Sequence, residues 1–169
     1  LDALNSNAIY NASDWNDYIA SLTSGTVAAG VIQGCWIANN VNTAADQANL
    51  WDATNIPNLS SISGSTHYTN NGGSSWLVLN KSDNAAAAAT FLSYIFAGDG
   101  MESYIDTMTK DIGYVTTYQP IISTGYYGKV DDGFYPLGFW DKVAKTAANA
   151  PVFTNSTMYS STMSALSTA

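Results

Sequence analysis

The stretch that most narrows the fold is residues 72–82, Gly-Gly-Ser-Ser-Trp-Leu-Val-Leu-Asn-Lys-Ser. Gly72 and Gly73 come first, and residues without a Cβ let the backbone take positive φ or approach another group closely. Trp76, Leu77, Val78, Leu79 and Asn80 follow with the aromatic and β-branched character of a short buried strand. Ser82, Asp83 and Asn84 are then N-cap residue types, and an alanine-rich helical run begins. A glycine pair, a strand and a capped helix in immediate succession predict an α/β chain. The glycine pair itself has two readings. It is either a loop end with room to turn or a ligand-facing backbone whose N–H groups no side chain obstructs.

The chain upstream carries one helix and two candidate strands. Ser13 or Asp14 caps a helix that sets Trp15, Tyr18, Ile19 and Leu22 on one apolar face, with Gly25 just past its end. That face places Trp15 in the core. Residues 26–33 are small or β-branched and read as a strand buried on both faces. Gly34-Cys35-Trp36 ends it, which sets an indole at a strand's C-terminal edge, where open α/β sheets bind ligands. Residues 37–49 suit a polar helix. Residues 50–56, closed by Pro57, suit a second short strand. No period extends over residues 58–71.

Downstream, the chain is rich in helices. The helix after Ser82 has Ala88, Phe91, Leu92, Ile95 and Phe96 as its stripe and Gly98 as its stop. A second, capped by Asp99, has Met101, Tyr104, Ile105 and Met108 on one face and Gly113 past its end. Residues 114–118 are extended, and Pro120 biases Gln119 the same way. Residues 121–135 have no clean period. Pro136 leads into a helix with Trp140, Val143, Ala144 and Ala147 on one face, and Pro151 bars its continuation. Residues 157–166 form a last helix with Tyr159, Met163 and Leu166 inward.

The 169 residues suit one domain or two small lobes. Thirteen acidic residues stand against five basic ones, for a net charge of −8. That balance excludes nucleic acid, which asks for a basic stripe, and a polybasic membrane-surface role. Only 11% of residues are charged, against about 25% in an ordinary soluble domain. Ser, Thr and Asn, roughly 50 in number, supply the polarity instead. This uncharged polarity is common in secreted and surface proteins. Cys35 is the single cysteine and reads as a small apolar residue. His67, the single histidine, reads as a solvated loop residue. One Cys and one His cannot assemble a zinc site. The opening Leu1-Asp2-Ala3 suggests a processed or excised chain.

Catalysis finds little support. Asp131 and Asp132 are adjacent and read as turn residues, not as a facing acid–base pair. The glycine pair precedes a strand, the wrong context for a phosphate loop. Five Trp and eleven Tyr among few charges suit carbohydrate instead. A pyranose packs its C–H face on an indole and satisfies its hydroxyls with amides, carboxylates or backbone.

Six segments, in order, resemble the extracellular solute-binding proteins of ABC importers, family 1, the sugar-binding type. They are GTVAAGVIQGCW at 25–36, LWDATNIP at 50–57, GGSSWLVLNKS at 72–82, AAAATFLSYIF at 86–96, GYVTTYQP at 113–120 and FYPLGFWDKVAKTAANA at 134–150. Thr116 departs from the family pattern, which has Pro there. The family's chains are also longer, so this sequence resembles their C-terminal portion.

The resemblance implies a periplasmic-binding-protein-like α/β fold of class II, here one lobe plus crossover elements with a helix-rich C-terminal half. Residues 1–71 would supply a sheet-containing lobe segment, 72–118 the crossover strand and helices, and 119–169 the C-terminal helices. It implies that Trp36 lines the sugar cleft, that Gly73, Ser74 and Ser75 touch the ligand at one crossover, that Tyr118 lies by the second, and that Trp140 stacks on the sugar. Position adds that Trp36, ending a strand, and Trp140, opening a helix after Pro136, border one concave surface with part of each indole exposed. The implied function is capture of a sugar or oligosaccharide for a membrane permease, without catalysis and without metal or organic cofactor. The implied location is the periplasm or cell surface, with a membrane anchor N-terminal to this chain. The apolar stripe after Ser82 would pack on a sheet outside this chain, so the chain alone would rearrange, dimerise or exchange elements. A non-catalytic surface adhesion module is the alternative.

Overall fold

In the computed structural model, residues 2–27, 30, 33–151 and 158–167 are described. Eight α-helices occur among them: α1 (Asp2–Asn5), α2 (Trp15–Thr23), α3 (Ala38–Val41), α4 (Ala85–Ala97), α5 (Met101–Ile112), α6 (Gln119–Ser123), α7 (Phe139–Ala148) and α8 (Tyr159–Ser167). Short 3-10 turns at Cys35–Ile37, Ala45–Gln47 and Tyr126–Lys129 join them.

Asp99 does not cap α5, where Gly100 holds the cap position with no side-chain bond. Of residues 37–49, only Ala38–Val41 form an α-helix. The start of α2 follows its cap. The Asp14 carboxylate accepts the Asp17 N–H at the start of α2, and Asp17 reaches back to accept the Ser13 N–H. Together they satisfy donors that the first turn leaves open. Gly25, at φ +72°, follows the end of α2. Gly98 ends α4, and left-handed Gly113 ends α5. Each stop falls where the sequence sets it.

The core lies where α2, α3, α5, α6 and α7 converge. Leu22, Ala38, Val41, Ile105, Ile121 and Ile122 meet Tyr127, Phe134, Tyr135, Phe139, Trp140 and Ala144 there. Its aromatic half is a chain of rings: Tyr135 stacks on Phe139 at 4.0 Å, and Trp140 meets both edge-on. Asp132 holds this group together. Its Oδ1 accepts the Phe134 and Tyr135 N–H groups, and its Oδ2 accepts the Trp140 indole N–H at 2.7 Å. Asp131 Oδ1 accepts the Gly133 N–H, so both adjacent aspartates are turn residues, as the sequence reading has it.

Several expectations are corrected. No β-strand forms among the described residues. Residues 76–80 are not a buried strand: they are irregular and exposed, with Leu77 at 83%. A strand exists only when another strand takes its N–H and C=O groups, and none lies alongside. Residues 50–56 are irregular for the same reason. The expected strand at 26–33 falls partly outside the described residues, since 28, 29, 31 and 32 are not among them; Thr26, Val27, Gly30 and Gln33 are not in a strand. Gln119 opens α6 with Pro120 in its first turn, so it is helical; proline is tolerated there because that N–H has no helical partner to lose. In α8, Tyr159, Met163 and Leu166 are exposed, not inward. On α7, Ala148 replaces Ala147 against the core. No helix among the described residues is long and apolar enough to cross a membrane.

Candidate functional site

Trp36 sits in the 3-10 turn that leads into α3, with 39% of its surface exposed. The indole folds back over Gly34. A Cβ at residue 34 would stand 2.8 Å from Trp36 Cδ1 and 2.9 Å from the Asn71 carbonyl oxygen. Glycine is therefore the residue that lets the ring and the 71–73 segment close over this point. The Asn71 side-chain amide donates to Gln33 Oε1 at 3.0 Å, which ties the two segments together. Gly72 and Gly73 follow at φ +92° and +124°, conformations that strain any other residue. A Cβ on Gly72 would lie 4.0 Å from Trp36 Nε1. Gly72 thus runs beside the indole, a Cβ on Gly73 would meet nothing within 4 Å, and Ser74 and Ser75 continue from it exposed.

The end of α5 buttresses the same turn. A Cβ at Gly113 would stand 2.7 Å from the Cys35 carbonyl oxygen and 3.3 Å from Trp36 Cα. From there the 114–118 segment is bolted down at three points. Thr109 Oγ1 donates to the Tyr114 carbonyl, the Thr116 N–H donates to the Tyr127 hydroxyl at 2.8 Å, and the Tyr118 N–H donates to Thr116 Oγ1. Tyr118 itself is 37% exposed. Burial pushes the Cys35 thiol above its ordinary range, the reverse of what a nucleophilic cysteine needs. His67 Nδ1 is bonded to the Ile56 carbonyl on an exposed loop.

Two tryptophans exchange the places expected for them. Trp140 is 2% exposed and lies in the core with its N–H on Asp132, so it offers no free face. Its apolar spacing on α7 and the Asp132 acceptor draw the whole ring inward. Trp15 is 45% exposed and lies against Trp36, centroids 5.4 Å apart and planes 49° apart. The Asp14 cap puts Trp15 at the first helical position, at the end of the apolar stripe and beyond the core that Leu22 reaches. That cap signal is what could have shown it.

Together the structure gathers Trp36, Trp15, the Gln33–Asn71 amide pair and the Gly72 backbone. Among the described residues this cluster is aromatic and amide in character, and the Asp14 and Asp17 carboxylates next to Trp15 are taken up in capping α2. A separate open cleft of about 610 Å³ lies between residues 52–55 and α7. Asp52, Asn55, Tyr68, Lys142 and Asn149 line it, and Lys142 is ion-paired with Asp52 across it. None of the ligand-contacting residues implied by the resemblance borders that cleft.

Residues 2–122 match the family described as bacterial extracellular solute-binding protein. The chain is also 39% identical over 145 residues to the lactose-binding protein of Rhizobium radiobacter, over 83% of this chain and 33% of that protein. The chain therefore spans about one third of that relative's length. No solved structure matches it significantly. A match over most of the residues brings with it a periplasmic-binding-protein-like fold, of which the helical part is described here. The chain belongs to the bacterial extracellular solute-binding proteins.

Proposed function

We propose that this chain carries one wall of the carbohydrate site of an ABC importer's extracellular binding protein. The observation that carries the reading is Trp36, a partly exposed indole for which Gly34 clears the space, set beside the positive-φ backbone of Gly72, from which Gly73 continues. A ring beside unobstructed N–H groups can take the apolar face of a pyranose and its hydroxyls at once. Family membership and the lactose-binding relative support the same reading. Gly73, Ser74 and Ser75 then act as polar contacts, and Tyr118 closes the site from the 114–118 segment. Trp140 stays in the core and takes no stacking role.

In this reading the chain is the C-terminal portion of a class II binding protein. Residues 1–71 belong to one lobe, 72–118 to the crossover and its helices, and 119–169 to the C-terminal helices. The ligand is handed to a membrane permease, no reaction is catalysed, and a segment N-terminal to this chain anchors the protein to the membrane. The uncovered stretch 72–80 and the outer face of α4 meet the remaining lobe. By itself the chain covers them with a second copy.

Titration calorimetry tests the site. A complete site of micromolar affinity corresponds to about −8 kcal/mol, and one wall with half the contacts to about −4, which is millimolar. The intact gene product is expected to bind lactose or a related sugar at micromolar concentration, and the 169 residues alone near millimolar. Trp36→Ala is expected to abolish both. A Trp36→Ala protein that binds sugar as tightly as the parent overturns the reading.

A further inference from the structure

We propose that Asn71 is a self-modification site: the Gly72 backbone nitrogen closes on the Asn71 side-chain amide, ammonia leaves, and water opens the ring to aspartate or isoaspartate. The only reagent is water. The proposal stands apart from the carbohydrate reading, so a chain that binds no sugar leaves it intact.

The Gly72 nitrogen gives up its proton, and its electron pair attacks Asn71 Cγ. A Cγ–N bond forms and the Cγ–Nδ2 bond breaks. The departing NH2 group takes up the lost proton and leaves as ammonia, and a five-membered imide remains. Water then adds to one of the two imide carbonyls. Opening at Cγ leaves aspartate. Opening at the main-chain carbonyl leaves isoaspartate, with the chain running through Cγ. Either product is about 1 Da heavier and carries an added negative charge. Nothing is oxidised or reduced.

Sequence and structure single out this residue together. Asn71 is the one asparagine in the chain with a glycine after it, and a nitrogen with no Cβ beside it is the easiest to reach. Both residues are exposed. The Gly72 N–H donates to no acceptor among the described residues, so the attacking atom is not tied up. The Asn71 amide is held by a single surface hydrogen bond, to Gln33 Oε1 at 3.0 Å.

The two aspartyl-glycyl pairs, Asp99-Gly100 and Asp132-Gly133, could form the same imide, and the fold closes both. The Gly133 N–H donates to Asp131 Oδ1, and the Asp132 carboxylate is filled by the Phe134, Tyr135 and Trp140 donors. Gly100 is buried against the Tyr94 ring.

The change falls where the loop meets Trp36. A carboxylate has no proton to give, so the Asn71 donor bond that ties this segment to Gln33 is lost. Isoaspartate also adds a methylene to the main chain just before Gly72, whose open side faces the Trp36 indole. The segment over Gly34 and Trp36 therefore alters with the age of the molecule.

The test is incubation of the intact gene product in mildly alkaline and mildly acidic buffer. Its peptides are then mapped by mass spectrometry, and isoaspartate is counted by enzymatic methylation of its free α-carboxyl group. The proteins are the parent, Asn71→Gln, Gly72→Ala and Gln33→Ala, and a free peptide of residues 68–75 gives the unrestrained rate. A gain of about 1 Da is expected at residue 71, faster in alkali because the nitrogen must lose its proton. Asn71→Gln is expected to abolish it. Gly72→Ala is expected to slow it about tenfold or more. Gln33→Ala, which frees the amide, is expected to bring it toward the peptide rate. A parent protein that keeps Asn71 intact while the peptide converts would overturn the proposal. So would conversion that comes first at another asparagine, at Asp99 or at Asp132, or a Gly72→Ala rate equal to the parent's.

Discussion

Helices α4 and α7 are built from the same kinds of apolar residue and meet opposite fates. Helix α4 has no charged residue from end to end, yet Ile95 is its one buried position, and Phe91 is 59% exposed. Helix α7 carries Asp141, Lys142 and Lys145, yet it buries Phe139, Trp140 and Ala144. The difference is segregation. On α7 the charges share the outer face, where Lys145 pairs with Asp141 and Lys142 with Asp52, and the rings share the inner one. That arrangement gives the helix one face for water and one for the core. An all-round apolar helix has no preferred side, and a single covering layer leaves the rest of it bare. Here α5 supplies that layer, with Tyr104 edge-on to Phe96 at 5.3 Å.

The contrast can be tested by substitution. Trp140→Ala should cost the most, about 3–5 kcal/mol of unfolding free energy in a denaturant titration, because it empties the core and strips Asp132 of a partner. A loss under about 1 kcal/mol would mean that the α7 core is not what holds the chain.

High pH probes the same core from its phenols. Burial raises the Tyr127 hydroxyl to about 12, and burial likewise raises Tyr135. The unfolded chain titrates near 10. The folded state therefore prefers the neutral phenol. Its contribution, on the order of 2 kcal/mol for Tyr127, is fully present below pH 10 and is lost as pH rises through 12. Tyrosinate absorbance followed beside far-ultraviolet circular dichroism should show two late phenols ionising together with unfolding. All eleven tyrosines titrating near 10 in a folded chain would refute this.

Removal of a cap comes next in size. Asp14→Ala should destabilise the chain by about 1 kcal/mol and shift the thermal midpoint down without altering the denaturant slope. An unchanged midpoint would mean that α2 is held by its packing alone.

The smallest effect on stability belongs to the bare side. Phe91→Ser and Leu77→Ser should each change unfolding free energy by no more than about 0.5 kcal/mol. Each should nonetheless reduce self-association of the isolated chain in light scattering. A chain that is monomeric before and after either change would count against the cover proposed for this face.

How much of this the sequence showed depends on how local the cause is. Asp14, Gly25, Gly98 and Gly113 mark helix ends because capping and left-handed backbone act within one turn, and all four stand where they were read. Residues 76–80 have strand chemistry, but a strand needs a neighbour that no local pattern can supply. Gln119 was misread because the bias of a residue before proline is weaker than the packing of Ile121 and Ile122 that draws α6 into the core. The core reading of Trp15 rests on its helical face, which gives a direction and not a depth, whereas the stacking reading of Trp140 rests on the resemblance and sets aside the apolar face that buries it. Trp36 and the glycine segment come to one site through the resemblance alone, whereas the contact of Trp36 with Trp15 is visible only in the fold.

The contact between Trp15 and Trp36 has an optical consequence. Two indoles this close and tilted couple their electronic transitions, and a coupled pair gives a bisignate circular dichroism signal that isolated indoles lack. Trp51, hydrogen-bonded to Gln47, and the buried Trp140 contribute no such pair with each other or with it among the described ring contacts. The chain therefore carries its own chromophore in the Trp15–Trp36 pair, and any event that turns one ring against the other changes the sign or size of that signal without a label.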